Sequence, residues 1–375
     1  MRQGLVVFGE DWGKLPSSTQ HLMKHIAKHK TIVWVNSIGL RKPKFTRHDL
    51  LRMGQKLFSK ASESKQNETV SLPKNFYVVS PLTIPVPVWP LTRLLARWLL
   101  LWQIRPLLNK LDLDQFDLWL SLPTAVDIVG YLGEQRVIYY CGDDFSGLAG
   151  VDHKTVSLRE RELVERADLV FVSSETLQHK LSSPNTYYLP HGVDFQLFAN
   201  PVLASSLLPK GKPTAGFYGS ISQWLDQSLL TSVIAKMPDW DFVFIGKASV
   251  DVSALKAFPN VFFINEVPHS TLPQFSQHWD VALLPFVMNS QIQACNPLKL
   301  REYLATGRPI ISTRFPAVEA YQEWVHIVDD ADAFCDALRV SMHVKTSQEQ
   351  QSLAAKEDWS CRADEILCVL KHYER

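Results

Sequence analysis

No C-x-x-C pair occurs among the five cysteines, Cys141, Cys295, Cys335, Cys361 and Cys368. An odd count without paired spacing argues against a disulfide framework or a zinc site and points to a reducing compartment. Cys361 and Cys368, a heptad apart on an expected helix, read as ordinary buried or half-buried thiols. Charge of one sign is lacking too. Lys and Arg total 39 against 38 Asp and Glu, a formal +1, so no global field recruits nucleic acid or membrane, and any attraction has to be local. Long apolar runs are missing as well: residues 89–108 are interrupted by Arg93, Arg97 and Arg105, whereas a spanning helix needs roughly 18–20 apolar residues. Met1-Arg2-Gln3-Gly4 leads straight into a short apolar strand, without a signal h-region or a cleavage site. The expectation is a cytoplasmic chain, peripheral at most on the inner face of the plasma membrane, with no nucleic-acid partner.

What is present is the composition of a folded protein. Of 375 residues, 46% are hydrophobic and 21% charged, close to globular usage and enough for a core in each of the two domains that the length suggests. Short β-rich runs alternate with helical patterns. Strands are expected at 5–8, 31–35, 75–79, 116–120, 136–140, 168–172 and 187–189, and helices at 18–29, 91–104 and 154–167. Residues 200–213 hold Pro201, Pro209, Gly211 and Pro213 among small polar residues, the composition of a linker. The pattern then restarts, with strands at 215–218, 241–245, 261–264, 281–285 and 309–312 and a helix-like tail at 347–373.

Strands without polar alternation, separated by helices, indicate parallel sheets covered on both faces. The fold expected is therefore α/β, with two tandem Rossmann-like, doubly wound parallel-sheet domains and an interdomain cleft. The domains are placed at 1–200 and 210–345, followed by a helical tail at 346–375 that packs back on the first domain. Residues 40–74 break the rhythm. They carry Arg41, Lys42, Lys44, Arg47, Arg52, Lys56, Lys60 and Lys65 against Asp49, Glu63 and Glu68, and read as a basic insertion, either a solvated loop or a binding segment.

The most informative stretch is Asn296-Pro297-Leu298-Lys299-Leu300-Arg301-Glu302-Tyr303-Leu304-Ala305-Thr306-Gly307-Arg308-Pro309-Ile310-Ile311. Asn296 suits an N-cap, Pro297 the first helical position, and Gly307 the stop before a buried strand. This helix follows the strand at 281–285, so its N-terminus is expected at the carboxyl end of the sheet, where doubly wound folds bind ligands. Its open N–H groups carry about half a positive charge and suit a diphosphate. Lys299, one turn in, is in reach of a phosphate. Glu302, three residues on and on the same face, suits two hydroxyls of a ribose. An ordinary capped helix with solvated Lys299 and Glu302 fits the same residues.

This stretch resembles the nucleotide-binding segment of family 4-like ("group 1") GT-B glycosyltransferases, whose pattern reads roughly P-x-K-x-x-E-Y-L-A-x-G-x-P-V-V. The resemblance implies a GT-B fold, a nucleoside-diphosphate-sugar donor such as a UDP-sugar on the second domain, and a grip on the donor ribose by Glu302. Where the family usually has a second Glu, eight positions earlier and in contact with the donor sugar, this sequence has Ala294. That departure leaves the retaining or inverting outcome open. The N-P-L-K-x-x-E-Y-L-A form looks most like relatives that build bacterial cell-surface polysaccharides of the teichuronic-acid type.

Gly216-Phe217-Tyr218-Gly219-Ser220-Ile221 resembles the first strand and glycine turn of the family's donor domain, with Gly219 letting backbone approach a phosphate. Trp224-Leu225-Asp226 continues that likeness. The family's usual Arg in this turn and a downstream Lys-Gly are absent, which leaves phosphate neutralisation to Lys299, with Lys247 a further candidate or a plain surface lysine. The donor-binding residues implied are Gly219, Asn296, Leu298, Lys299 and Glu302. Leu189-Pro190-His191-Gly192-Val193-Asp194 resembles the P-N-G-V-D turn that ends the family's N-terminal domain.

On the acceptor side, Tyr139-Tyr140-Cys141-Gly142-Asp143-Asp144-Phe145 sets two carboxylates just past a strand end. Either can orient an acceptor hydroxyl or act as general base, and either can simply build a turn. Gly9-Glu10-Asp11-Trp12-Gly13 follows the first strand in the same way. The resembling subgroup carries a similar D-W stretch, then a Gln-His-Leu helix matching Gln20-His21-Leu22. The catalytic candidates are thus Asp143, Asp144 and Asp11, with Gln20 beside Asp11. Asp112-Leu113-Asp114 has D-x-D spacing but no supporting context, and neither metal nor cofactor is expected, because the helix N-terminus already supplies charge compensation.

Residues 89–110 contain Arg93, Arg97, Arg105 and Lys110 and no acidic residue. Leu91, Leu94, Leu95, Trp98 and Trp102 recur at helical spacing, while Arg93 and Arg97 share another face. Such a helix either lies on anionic lipid or packs on the sheet. The activity expected is hexosyltransferase-like transfer from a nucleoside-diphosphate sugar to a polysaccharide or lipid-linked saccharide acceptor. A nucleotide-sugar 2-epimerase and a non-catalytic nucleotide-sugar-binding assembly partner are the alternatives.

Overall fold

In a computed structural model the chain divides into two compact units, Met1–Leu189 and Pro190–Arg375. The structure describes residues 3–14, 16–38, 72–84, 89–146, 152–342, 344 and 346–373. All but the last three residues of the basic insertion at 40–74 lie outside them.

The strands of the first unit are β1 (Gln3–Phe8), β2 (Thr31–Val35), β3 (Phe76–Val79), β4 (Gln115–Leu120), β5 (Val137–Cys141), β6 (Leu169–Val172) and β7 (Thr186–Tyr188). They form one sheet in the order β3-β2-β1-β4-β5-β6-β7, parallel at every pairing. β5 and β6 are buried at every position, which is why the sequence shows no alternation there. Strand order reverses between β1 and β4, so the loops leaving these strands flank a topological switch point.

The helix Ser18–Ile26 follows β1 and is capped by Ser17, whose side chain accepts from Gln20 N. The long helix Pro90–Lys110 buries Ala96, Leu100, Ile104 and Leu108 in one stripe and packs against the 3-10 turn Pro123–Ile128. It runs past the expected end at residue 104 and through Pro106. That ring costs one backbone hydrogen bond, and the burial of Leu108 in the same stripe offsets it.

The second unit repeats the plan with β8 (Thr214–Tyr218), β9 (Asp241–Ile245), β10 (Val261–Ile264), β11 (Val281–Leu284), β12 (Ile310–Thr313) and β13 (Val325–Val328). The order is β10-β9-β8-β11-β12-β13, again parallel throughout. β13 lies outside the strands expected from the sequence: it is a short edge strand with His326 exposed between buried Val325 and half-buried Ile327. The switch point lies between β8 and β11. Trp240, Trp279, Phe217 and Tyr303 anchor the core here, and truncating a fully buried aromatic of this kind costs about 3–5 kcal/mol.

The units divide ahead of the Pro/Gly-rich segment at 200–213 because residues 190–199 pack within the second unit. Val193 N donates to Glu357 O at 3.0 Å and Trp359 N to Val193 O at 3.0 Å, while Phe198 is buried in that unit's core. The tail is two helices, Gln348–Lys356 and Trp359–His372, rather than one. Asp358 breaks it: its carboxylate accepts from Ser360 N at 2.8 Å and Phe195 N at 3.1 Å, starting the second helix as an N-cap. Both tail helices belong to the second unit.

Candidate functional site

In the second unit, the chain leaves β8 through Gly219 and leaves β9 through Gly246, with φ of 131° and 132°. A Cβ on Gly246 would stand 2.2 Å from the Gly219 carbonyl oxygen. Only glycine allows these two turns to lie backbone against backbone. A Cβ on Gly219 would stand 3.1 Å from Lys299 Nζ. The lysine and the glycine turn, eighty positions apart in sequence, therefore meet at the switch point. The ammonium also sits 5.5 Å from the Phe217 ring centroid and 5.7 Å from that of Phe286, within cation–π range.

Lys299 lies in the first turn of the helix Leu298–Thr306, which ends at Gly307 with φ 70°, the left-handed stop expected of it. Its start differs from expectation. Pro297 is the N-cap, and it supplies no side-chain cap hydrogen bond. Asn296 instead accepts a 2.6 Å hydrogen bond from Arg301 Nη1. The cause is the burial of Arg301: its guanidinium, 2% exposed, must be paired, and Asn296 and Glu357, the latter 3.1 Å from Nε, pair it. Arg301 thus ties the helix to the tail through Glu357, and Asn296 holds the guanidinium in place. The amide end of the helix, with its partial positive charge, carries no side-chain cap. Leu298 is half-buried beside it.

Glu302 is buried, 7% exposed. Its Oε2 accepts the Tyr218 hydroxyl at 2.5 Å, and its Oε1 lies 2.7 Å from His269 Nε2. Burial, and then the charge of Glu302, hold the Tyr218 hydroxyl well above its usual range, so the phenol stays a donor. A carboxylate has about four lone-pair positions, and two are used. Phe198 meets the His269 ring edge-on at 5.4 Å. The sequence reading did not assign roles to Tyr218 or His269. Tyr218 sits in the quoted glycine-turn segment, but His269, in a short 3-10 turn at His269–Thr271, has no sequence signal that sets it apart. Lys247 is exposed, while its carbonyl accepts from Ile221 N at 3.0 Å. Ala294 is buried at the end of the short helix Ser290–Ala294.

In the first unit, the structure places the three catalytic candidates after β5 and β1, strands separated by β4. Asp143 is exposed. Asp144 accepts from Lys180 Nζ at 2.5 Å and from Ser146 N and Oγ at 2.9 and 2.6 Å. Burial acts to raise the Asp144 carboxyl, but Lys180 and Ser146 outweigh it and hold the group below the ordinary range. Asp144 is therefore a paired turn carboxylate, held ionised by its partners.

Behind it lies Glu160, 3% exposed, which accepts from the Tyr139 hydroxyl at 2.7 Å. Burial pushes Glu160 up, against that bond and the charge of Lys180. Asp11 pairs with Lys14 at 2.5 Å and accepts from Ser37 N at 3.2 Å, while Gln20 donates to the Asp11 carbonyl at 3.4 Å. Tyr140 lies between the two loops. Burial raises its hydroxyl, opposed by a bond from Ser18, with Asp143 and Glu10 adding to the rise.

Among the described residues, no group of three or more His, Cys, Asp or Glu is placed to hold a metal ion, and no helix is long and apolar enough to cross a membrane. Asp112, of the D-x-D, is a turn residue with φ 50°.

Comparison with known proteins bears on both units. Residues 212–343 match the family model described as glycosyl transferases group 1. The putative teichuronic acid biosynthesis glycosyltransferase TuaH of Bacillus subtilis (strain 168) is 26% identical over 300 residues, covering 71% of this chain and 75% of that protein. Among solved structures, sucrose-phosphate synthase from Thermosynechococcus elongatus superposes with a TM-score of 0.70 at 13% identity, covering 99% of each chain. HepE of Anabaena, in complex with UDP-glucose, gives 0.66 at 12% identity over 98% of this chain and 99% of that one. The two doubly wound parallel sheets are those of the GT-B fold. Residues 212–343 thus carry a glycosyl transferases group 1 domain, within a chain whose two sheets have the GT-B fold.

Proposed function

We propose that the chain transfers a sugar from a nucleoside-diphosphate sugar, a UDP-sugar first among them, to a saccharide or lipid-linked saccharide acceptor in cell-surface polysaccharide biosynthesis. The observation that carries this reading is the meeting of Lys299, Gly219 and an uncapped helix start at the second unit's switch point. Glycine backbone admits a diphosphate closely, the ammonium neutralises it, and first-turn amides donate to it. As the bond to the anomeric carbon breaks, charge grows on the diphosphate, and these fixed groups stabilise it without reorganising. Glu302, oriented by Tyr218 and His269, has two lone-pair positions left for the ribose hydroxyls. Asn296 acts by holding the Arg301 guanidinium, and Leu298 lines the helix start.

The acceptor hydroxyl attacks the anomeric carbon, and a carboxylate of the first unit takes its proton. Asp143, Asp144 and Asp11 are the candidates for this step, with Asp144 held by Lys180 and Ser146 and Asp11 by Lys14. Lys299 supplies the charge compensation that a metal gives elsewhere, so the reaction is proposed to be metal-independent. HepE, a structural neighbour, is described in complex with UDP-glucose, and TuaH is described in teichuronic acid biosynthesis; both agree with this reading. A cytoplasmic chain working peripherally at the membrane suits a lipid-linked acceptor.

The test is nucleoside diphosphate release by the purified full chain across a panel of nucleotide sugars, with and without lipid-linked and free saccharides. Transfer that survives EDTA and falls about 10²-fold or more in Lys299→Ala is expected. Donor turnover without any acceptor, giving an isomerised sugar, or activity near wild type in both Lys299→Ala and Glu302→Ala, would overturn the reading.

A further inference from the structure

The helix Pro90–Lys110 turns its apolar side outward. Ala96, Leu100, Ile104 and Leu108 face the protein, while on the opposite side Leu91 is 79% exposed, Trp98 58% and Trp102 66%. At 100° per residue, Leu91, Leu95, Trp98 and Trp102 fall on one face, about 17 Å from end to end. Leu94 and Leu95 are exposed on this side too, and Trp98 and Trp102 stack with centroids 6.4 Å apart. Trp89, just before the helix, is 74% exposed. Single exposed apolar residues need no explanation, but a contiguous ridge of tryptophan and leucine marks a surface that is covered in use.

The arginines point to the occupant. Arg93 is drawn inward: its Nε donates to Asp127 at 2.7 Å and its Nη2 to Glu162 at 2.9 Å. Arg97 lies 3.8 Å over the Tyr131 ring, and Arg105 donates to the Tyr131 carbonyl at 2.7 Å. From the sequence, Arg93 and Arg97 share a face of their own on a helix that either lies on anionic lipid or packs on the sheet. They clamp the helix to the unit and leave the apolar ridge outermost. With Arg93 neutralised, residues 89–110 still carry Arg97, Arg105 and Lys110 and no acidic residue. A second copy seated on the ridge would bring three more cations and no anion from this helix, whereas an anionic leaflet supplies the missing counter-charge. Three tryptophans, with Tyr131 40% exposed beside Arg97, match the side chains that settle at the headgroup boundary.

We infer that the Leu91–Leu95–Trp98–Trp102 ridge is a membrane-docking surface that enters the acyl boundary of an anionic bilayer, with Arg105 and Lys110 at the headgroups. Binding rests on apolar insertion and is trimmed, not abolished, by salt. The inference is independent of the sugar-transfer reading.

The test is flotation of the full chain with vesicles of phosphatidylglycerol and phosphatidylethanolamine, and with the same vesicles carrying brominated acyl chains. Wild type is expected to float at 0.5 M salt and to lose tryptophan emission on brominated lipid. The doubly exposed variant Trp98→Gln/Trp102→Gln should partition about tenfold less or weaker still. Trp98→Phe/Trp102→Phe should float but show much less quenching. Failure of wild type to float, flotation abolished by salt, or unchanged flotation of the Gln variant would overturn the inference. So would a wild-type dimer in solution that the Gln variant splits without any vesicle binding. The far-ultraviolet spectrum and Tm of each variant confirm that it is folded.

Discussion

Lys299 Nζ stands 3.1 Å from the point that a Cβ would occupy on Gly219. The two residues thus share one small space, which a phosphate would enter from outside. Gly219→Ala should both strain a backbone held at φ 131°, at about 1–3 kcal/mol, and push the ammonium aside. The expected result is a lower Tm together with a loss of the thermal stabilisation that nucleoside diphosphates give. Lys299→Ala should lose the second effect while keeping the wild-type Tm without ligand. The pair of melting curves, with and without nucleotide, separates a role at the phosphate from a role in folding.

Glu302 makes a different prediction, because its two oxygens are already held by Tyr218 and His269. Tyr218→Phe leaves the carboxylate buried and short of one donor, at about 1–3 kcal/mol. It should raise the donor KM and leave kcat little changed, because the contact lies at the nucleoside and not at the reacting bond. Glu302→Gln keeps the shape and weakens the ribose contact, and it should show the same split. A large fall in kcat with unchanged KM in both variants would place Glu302 at the chemistry instead of at the nucleoside.

Much of this was legible in the sequence because its carriers are local. Unalternated apolar strands between helices announce parallel sheets, and Gly307 marks a helix end by backbone geometry alone. What the sequence hid depends on partners far along the chain. Asn296 has the identity of an N-cap, but a buried Arg301 takes its oxygen. Arg93 and Arg97 sit on an apparently basic face until Asp127, Glu162 and Tyr131 are brought to them. His269 meets Glu302 from 33 positions away, and no spacing rule reaches that far.

The turn at Gly192 offers a test of structure without chemistry. A Cβ there would stand 2.8 Å from the Trp359 ring and 3.0 Å from the Glu357 carbonyl oxygen. Trp359 is 2% exposed and cannot swing away. Gly192→Ala should cost about 1–3 kcal/mol, the usual toll of overpacking, seen as a lower urea midpoint. The KM for the donor, measured below the transition, should stay at the wild-type value, since the clash falls on Trp359 and the Glu357 carbonyl. A changed KM with an unchanged midpoint would mean that the turn does more than fasten the tail.

Glu160 gives the pH-dependent prediction. Burial raises its carboxyl above the unfolded value, so the folded state binds this proton more tightly than the unfolded chain does. The sign follows from linkage: the folded state gains from the protonated group below the ordinary carboxylate range, near pH 4.3, and that gain is lost as pH rises through the raised folded value. At neutral pH the buried charge is therefore a standing cost. Glu160→Gln keeps an oxygen to accept from the Tyr139 hydroxyl, 2.7 Å away in the wild type, and removes the charge. The variant should melt higher than wild type at pH 8, with the difference shrinking toward zero as pH approaches 4. Lys180, 3.8 Å from Glu160 and 2.5 Å from Asp144, keeps the second of these partners in the variant, so the Asp144 turn should persist. A variant that melts lower than wild type at pH 8 would mean that Glu160 is held there by its ion pair with Lys180, with burial the lesser influence.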